Sequence, residues 1–478
     1  MLITADELLR ESLSCYGNRA ISTPHLDALA AAGTRFDTAY TVSPWCLPAR
    51  CSMLTGLLPH NSGAYSNFRP SPIGDGLPNI YTELKALGYT TSHVGKCHYL
   101  PVPYSQTQPD KTLPYESTRN AYKALGIDYL ALQDDKQVSV WFYDDYSREL
   151  EEAGYLKAYR DATWLGKKNG RVFDFPGPAE WHPDSWVGRK AVDYLQTCGN
   201  DQPPFLWVSF SGPHYPFDAP ALYLDLVDMS RDWPRRQVAG EFDDSGRIHY
   251  SSYHGPGGID GCAGAMDDAC KNYTDEYWRE MRHHYYANVL QIDDWVGEIM
   301  QEIQSRFGED TLIVFTADHG EMLGNHGLWG KHNCAYEEVW GIPLLVKYPA
   351  ACEGKPAPVE NCIVTNLDVM ATCLSVAGGS DVYGDGQDYR RLCRSSGYSY
   401  VIAEGEGFVA VTDGSLKLVR IQQPTRRGHG ESIVFSELYD RSVDADESRN
   451  LIALPEYAGC IAELRSVVLD KMMGDFLP

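Results

Sequence analysis

Asp6 and the pair Asp318-His319 lie far apart in the chain, yet each follows directly on an apolar run, "LIT" in one case and "TLIVFTA" in the other. A hard divalent cation takes carboxylate oxygens and tolerates a neighbouring imidazole, so these three are candidate metal ligands. Taken alone, the same pattern also fits a polar loop that caps a helix. A second group is basic: Arg50, Lys96 and His98 in "GKCH", His214 in "GPH" and Lys331 in "GLWGKH". Gathered in one crevice they would bind an anion, with lysine and histidine at hand for proton transfer. Singly, each reads equally as a solvated or core-satisfied side chain. The third feature is "SPWCLPARCSMLTG", Ser43 to Gly56, where Cys46 and Cys51 flank a proline and an arginine. That spacing matches neither a CxxC redox pair nor a zinc clip. Position alone leaves Cys46 open as a thiolate nucleophile activated by a helix N-terminus and Arg50, or as an inert buried thiol.

The elements that must position these residues are well punctuated. "LIT" predicts a buried strand. "STPHLDALAAAG" predicts a helix with Thr23 as N-cap, Pro24 at its first position and Gly33 as terminator. In the cysteine segment Pro48 is expected to open a short helix that Gly56 ends, leaving Cys46 just ahead of the N-terminus. "LPNIYTELKALG" and "PDSWVGRKAVDYLQTCG" predict helices, "YTTSHVGKCH" and "PPFLWVSFSGPHYPF" strands that run into polar residues, and Tyr273 to Arg306 a long helix. Strands alternating with helices, with polar residues just after the strands, predict an α/β fold. Its sheet would be large, mainly parallel and flanked by helices, with the site at the strands' carboxyl ends.

After residue 378 the texture changes. "YSYVIAEGEGFVAVTDGSLKLVRIQ" predicts three short antiparallel strands and "LPEYAGCIAELRSVVLDKMM" a closing helix. The expected division is therefore a catalytic α/β domain over 1–378 and a smaller α+β unit over 379–478. Two long Pro- or Gly-rich insertions, "PVPYSQTQPDKTLPYES" and "SSYHGPGGIDGCAGAMDDACKN", are candidates to line a substrate pocket.

Composition limits the partners. In 478 residues, 41 Lys+Arg face 65 Asp+Glu, a formal charge of −24 that disfavours nucleic acid and anionic membranes. An anionic substrate would need the local basic cluster. Thirteen cysteines without regular spacing, and no basic n-region ahead of an apolar stretch, give the expectation of a cytoplasmic protein with mostly reduced thiols.

Taken together these residues resemble the type I sulfatases of the alkaline phosphatase superfamily. "CLPARCSMLTG" is similar to the sulfatase signature CxPxR followed by TG. Further similarities run along the whole chain: "LSCYGN", "STPHLDALAAAGTRFDTAY", "GYTTSHVGKCHY", "PHYPF", "TADHGEMLGNHGLWGKH" and "SELYDRSVDADESRNL". The resemblance implies an alkaline phosphatase-like fold and hydrolysis of a sulfate monoester of a small molecule or a sugar. It implies that Cys46 is oxidised to Cα-formylglycine by a maturation enzyme, with Pro48 and Arg50 part of the signal. The hydrated aldehyde would share one divalent cation, calcium or else manganese, with Asp6, Asp318 and His319. One diol oxygen would attack sulfur, and the sulfated hemiacetal would collapse by C–O cleavage.

By the same resemblance Arg50 would orient the diol, Lys96 and Lys331 would hold sulfate oxygens, and Asn67 in "AYSN" would stand beside the sulfate. His98 would be the base for collapse, while His214 with Lys331 would protonate the leaving oxygen. Three departures stand out. Asp6-Glu7 replaces two aspartates, leaving Glu7 as a longer ligand or none. His319 replaces the commoner asparagine, as in the branch of choline sulfatases and phosphonate monoester hydrolases, and position 49 is alanine where serine is commoner. The competing readings are a phosphonate monoester or phosphodiester hydrolase with the same nucleophile and metal, disfavoured by "GKCH", and a non-catalytic protein that binds sulfated ligands. Cys51 is expected to pack in the helix. His326 and His332 stay without a role, and Trp141, Tyr143 and Trp278 are candidates to pack on a sugar or aryl ring.

Overall fold

Continuous apolar runs make the centre of the computed structural model, which describes residues 1–68, 73, 76–100, 115–136, 143–166, 172–199, 201–255, 269–424 and 432–476. The main sheet has eight strands: β1 (Leu2–Asp6), β2 (Thr34–Phe36), β4 (Thr90–Gly95), β5 (Tyr129–Leu132), β6 (Pro204–Pro213), β7 (Ile313–Ala317), β8 (Leu344–Lys347) and β9 (Val359–Glu360). A two-residue strand, β3 (Ala39–Tyr40), pairs with β10 (Val364–Thr365), and β11 (Val382–Tyr383) with β12 (Gly386–Gln387). The eight strands run in the order β5-β4-β6-β1-β7-β8-β2-β9. All adjacent pairs are parallel except those made by β8 with β7 and β2.

β1 is central, with Leu2 opposite Trp207 on one side and Val314 on the other. Every residue of β1 and β7 is buried, which is why both read as unbroken apolar runs rather than alternating ones. The parallel arrangement brings the carboxyl ends of β1, β4, β6 and β7 to one edge, so Asp6, Lys96, His214 and Asp318 meet there although they are scattered in sequence.

The helices follow the sequence signals with two differences. The cysteine helix spans Cys46–Thr55 and Cys46 is its first residue, two positions earlier than Pro48 suggested. Proline is tolerated at the third position because the first-turn N–H groups have no intrahelical acceptor. Thr23 precedes the Pro24–Ala32 helix without capping it; its hydroxyl pairs with Ser14 instead. Gly33 ends that helix as expected, at φ −132°. A side chain there would meet Val346 O of β8 at 2.5 Å.

Four strands, one more than expected, form the C-terminal sheet: β13 (Val401–Gly405), β14 (Phe408–Thr412), β15 (Leu416–Pro424) and β16 (Ser432–Asp440). β16 pairs with β15 over nine residues. Its "SIVFSELYD" mixes polar and apolar residues on one face, which hid the alternation. One face of the sheet, with Ile402, Val411 and Leu418, packs on Ile461 and Leu464 of the Ala458–Phe476 helix. The other, with Val401, Ala403 and Val419, packs on Tyr40, Tyr336 and Trp340. Among the described residues no helix is long and apolar enough to cross a membrane.

Candidate active site

Asp6 ends β1, Asp318 and His319 follow β7, and Cys46 opens its helix over the same edge; one donor atom of each lies within 4.8 Å of all the others. All four side chains are buried. Cys46 Sγ is 3.1 Å from His319 Nε2, and the same nitrogen is 3.8 Å from Asp6 Oδ1 and from Asp318 Oδ1. Asp318 Oδ1 accepts the backbone N–H groups of Glu7 and His319. Asp6 Oδ1 is buried with no hydrogen-bond partner among the described residues. An orphaned carboxylate oxygen is costly unless a cation faces it, and the donor set suits one. Burial pushes the His319 imidazole down, toward the neutral form that ligates. Burial, then Asp6, pushes the Cys46 thiol well up.

Arg50, one helical turn beyond Cys46, is fully buried and closes the floor. Its Nε donates to Asp318 Oδ2 at 2.8 Å, and its Nη1 to Ser209 Oγ at 2.8 Å and Lys96 O at 3.0 Å. Lys96 reaches the site because Gly95, at φ +100°, turns the chain at the end of β4, where a Cβ would stand 2.0 Å from Ser209 O. Lys96 Nζ donates to Asp6 Oδ2 and to Asp135 Oδ2. Burial would lower the Lys96 ammonium, but Asp135 and Asp6 outweigh it and hold the group charged. Burial would likewise raise the Asp6 carboxyl, but Lys96, His214, Arg50 and Lys331 together hold it well below the usual range.

Glu7 has φ +60°. Its Oε2 sits 2.7 Å from Lys331 Nζ and 3.2 Å from His214 Nε2, so this oxygen pairs with the lysine and the imidazole. His214 Nδ1 is 2.6 Å from Tyr215 O. Both imidazole nitrogens therefore face oxygen acceptors, while burial and Lys331 push the group well down. A proton on Nε2 would be held by Glu7 Oε2 and one on Nδ1 by Tyr215 O. His98, at φ +47°, has neither ring nitrogen hydrogen-bonded among the described residues. Burial, then Lys96, keeps its imidazole neutral.

Asn67 lies beside Cys46, its Oδ1 accepting the Leu47 N–H at 3.0 Å and so capping the cysteine helix. Trp45 stacks on His332 at 4.2 Å, and half-exposed Phe68 meets both rings edge-on. His332 thus adjoins the site. His326 does not: it stacks on Tyr336 and pairs with Glu241. Cys51 is fully buried, as expected. Trp278 is a packing anchor against Tyr273, closed to substrate at 2% exposure. Tyr143 is bonded to Glu151 away from the cluster. Trp141 and most of the two insertions lie outside the described residues.

Three participants were missed in the sequence. Asp135 holds Lys96, Ser209 holds Arg50, and Asn366 Nδ2 donates to Asp318 O and Thr41 Oγ1. Asp135 follows β5, the same strand-end signal that marked Asp6 and Asp318, and was open to detection on that ground.

The sulfatase family model matches residues 1–380. The chain belongs to the sulfatase family. This sulfatase is 26% identical to the uncharacterized sulfatase YidJ of Escherichia coli, over 99% of its own length and 86% of the relative's. It is 28% identical to the choline-sulfatase of Rhizobium meliloti, over 75% of this chain and 63% of that one. Its fold matches the crystal structure of the phosphonate monoester hydrolase of Agrobacterium radiobacter with a TM-score of 0.79, 21% identity, and coverage of 99% and 95%. The large mainly parallel sheet and alkaline phosphatase-like fold expected from the sequence are thereby found.

Proposed function

We propose that this sulfatase hydrolyses sulfate monoesters with the hydrated Cα-formylglycine made from Cys46, and with one divalent cation, calcium or manganese, held by Asp6, Asp318, His319 and residue 46. The observation that carries the reading is the buried four-donor group with an orphaned Asp6 oxygen, ringed by cationic and imidazole side chains. The cation, when bound, would acidify a diol hydroxyl and neutralise sulfate oxygens.

The chain's own residues supply the rest. Arg50 Nη2 is buried without a hydrogen-bond partner among the described residues, and is the donor left to orient the residue-46 oxygen. Lys96 and Lys331 bring fixed positive charge to the sulfate in a chain of net charge −24. His214 gives its Nε2 proton to the departing alcohol oxygen, and Lys331, on the same Glu7 oxygen, can replenish it. His98, neutral and open at both nitrogens, takes the proton whose removal releases sulfate. The test is parallel kcat/KM on an aryl sulfate and a phenyl phosphonate monoester with matured enzyme. Clear preference for sulfate supports the reading, and clear preference for phosphonate overturns it.

A further inference from the structure

Two thiols that catalysis leaves unused come together away from the active site. Cys362 lies between β9 and β10, Cys393 near the end of the Tyr389–Arg394 helix. Their sulfurs are 3.2 Å apart although 31 residues separate them in sequence. The surrounding backbone fixes the approach. Ile363 and Gly397 form a parallel bridge, and Tyr398 N–H donates to Ile363 O at 2.9 Å. Gly397, at φ +80°, would carry a Cβ 3.0 Å from that of Cys362. The helix bearing Cys393 is tied to β10 by Tyr389 OH donating to Thr365 O at 2.9 Å. Both residues are of intermediate exposure, whereas Cys46, Cys51 and Cys97 are buried.

We propose that Cys362 and Cys393 form a reversible disulfide, a modification site separate from the catalytic group, that ties the β10 segment to the end of the Tyr389–Arg394 helix. The oxidant is a low-molecular-weight disulfide such as oxidised glutathione. The Cys362 thiolate attacks one glutathione sulfur and expels the first glutathione thiolate. The Cys393 thiolate then attacks the Cys362 sulfur of the mixed disulfide and expels the second. The two protons go to the two departing thiolates, so one disulfide is reduced as one is formed. The hydrogen bond from Cys393 draws the Cys362 thiol below its ordinary value, against burial, which suits Cys362 to the first step. A metal fits less well: Glu360 is a third donor, but among the described residues the group stops at three, and a structural zinc takes four.

The closed loop contains Asn366, the residue that braces the Asp318 backbone. Cross-linking therefore restrains a support of the active site as well as the unfolded chain. Full-length protein is incubated with oxidised glutathione, alkylated under denaturing conditions and peptide-mapped without reduction. The expected product is one cross-linked peptide pair joining Cys362 to Cys393, two hydrogens lighter than the separate peptides and reversed by dithiothreitol. The oxidised wild type should unfold a few degrees above the reduced form, with no such difference in Cys362→Ser or Cys393→Ser. Both cysteines alkylated after treatment, or one equivalent of zinc in the purified protein that both variants lose, would overturn the proposal.

Discussion

His214 and His98 are both buried imidazoles beside Lys96 and Lys331, yet their hydrogen bonding separates them. His214 has oxygen acceptors at both nitrogens, whereas His98 has none among the described residues. The sequence left acid and base undivided, and the proposed division rests on this difference. Replacing a general acid costs most where the leaving alcohol is poor. His214→Ala is therefore expected to lower kcat on an alkyl sulfate by about 10²–10⁴-fold and on 4-nitrophenyl sulfate far less. Equal losses on both substrates, measured side by side, would remove His214 from that role. Asp6, Cys46, Asp318, His319, Arg50, Lys96, His98, His214 and Lys331 were all readable because each stands at a strand end or in a motif. Asp135 carried the same strand-end signal and was passed over, whereas Ser209, a hydroxyl inside β6 whose partner is Arg50, leaves no spacing pattern to read.

At the scale of elements, catalysis depends on where strands stop. β4 ends at Gly95, whose φ of +100° and 2.0 Å clearance to Ser209 O leave no room for a Cβ. Gly95→Ala should cost roughly 1–3 kcal/mol or more through strain and overpacking, and should displace Lys96 and its contacts to Asp6 and Asp135. The check is denaturant unfolding alongside kcat/KM. A variant with wild-type stability and activity would show that the close approach does not hold Lys96. Strands buried on both faces and helices bounded by Pro and Gly were predictable, because burial and chain-breaking are local chemistry. The start of the Cys46–Thr55 helix was not, because Asn67, a residue from a distant loop, caps it. The fourth strand of the C-terminal sheet was hidden by its mixed face.

At the scale of the molecule, a buried charge cluster joins the main sheet's surroundings to the C-terminal sheet. Glu337 takes Arg10 at 2.9 Å, Arg441 at 3.1 Å and Lys417 at 3.4 Å. Burial would raise this carboxyl, but Lys417, Arg10 and Arg441 bring it down to about 2 from 4.5. Its pKa is lower folded than unfolded, so the stabilisation is complete above pH 4.5 and is lost as pH falls toward 2. Glu337→Gln is expected to destabilise by about 3 kcal/mol at neutral pH, with the gap to wild type closing across that acid window. A gap independent of pH would assign the loss to packing instead. Nothing in the composition forecast this joint, since its members come from four separated segments.

The proposed chemistry rests on residue 46. Preparations made with differing amounts of maturation enzyme can be digested, and the fraction of residue 46 present as aldehyde read from the peptide mass beside sulfatase activity on the same samples. Activity should rise in proportion to the aldehyde fraction and extrapolate to zero for unmodified Cys46. Full activity in protein whose residue 46 is entirely thiol would contradict it.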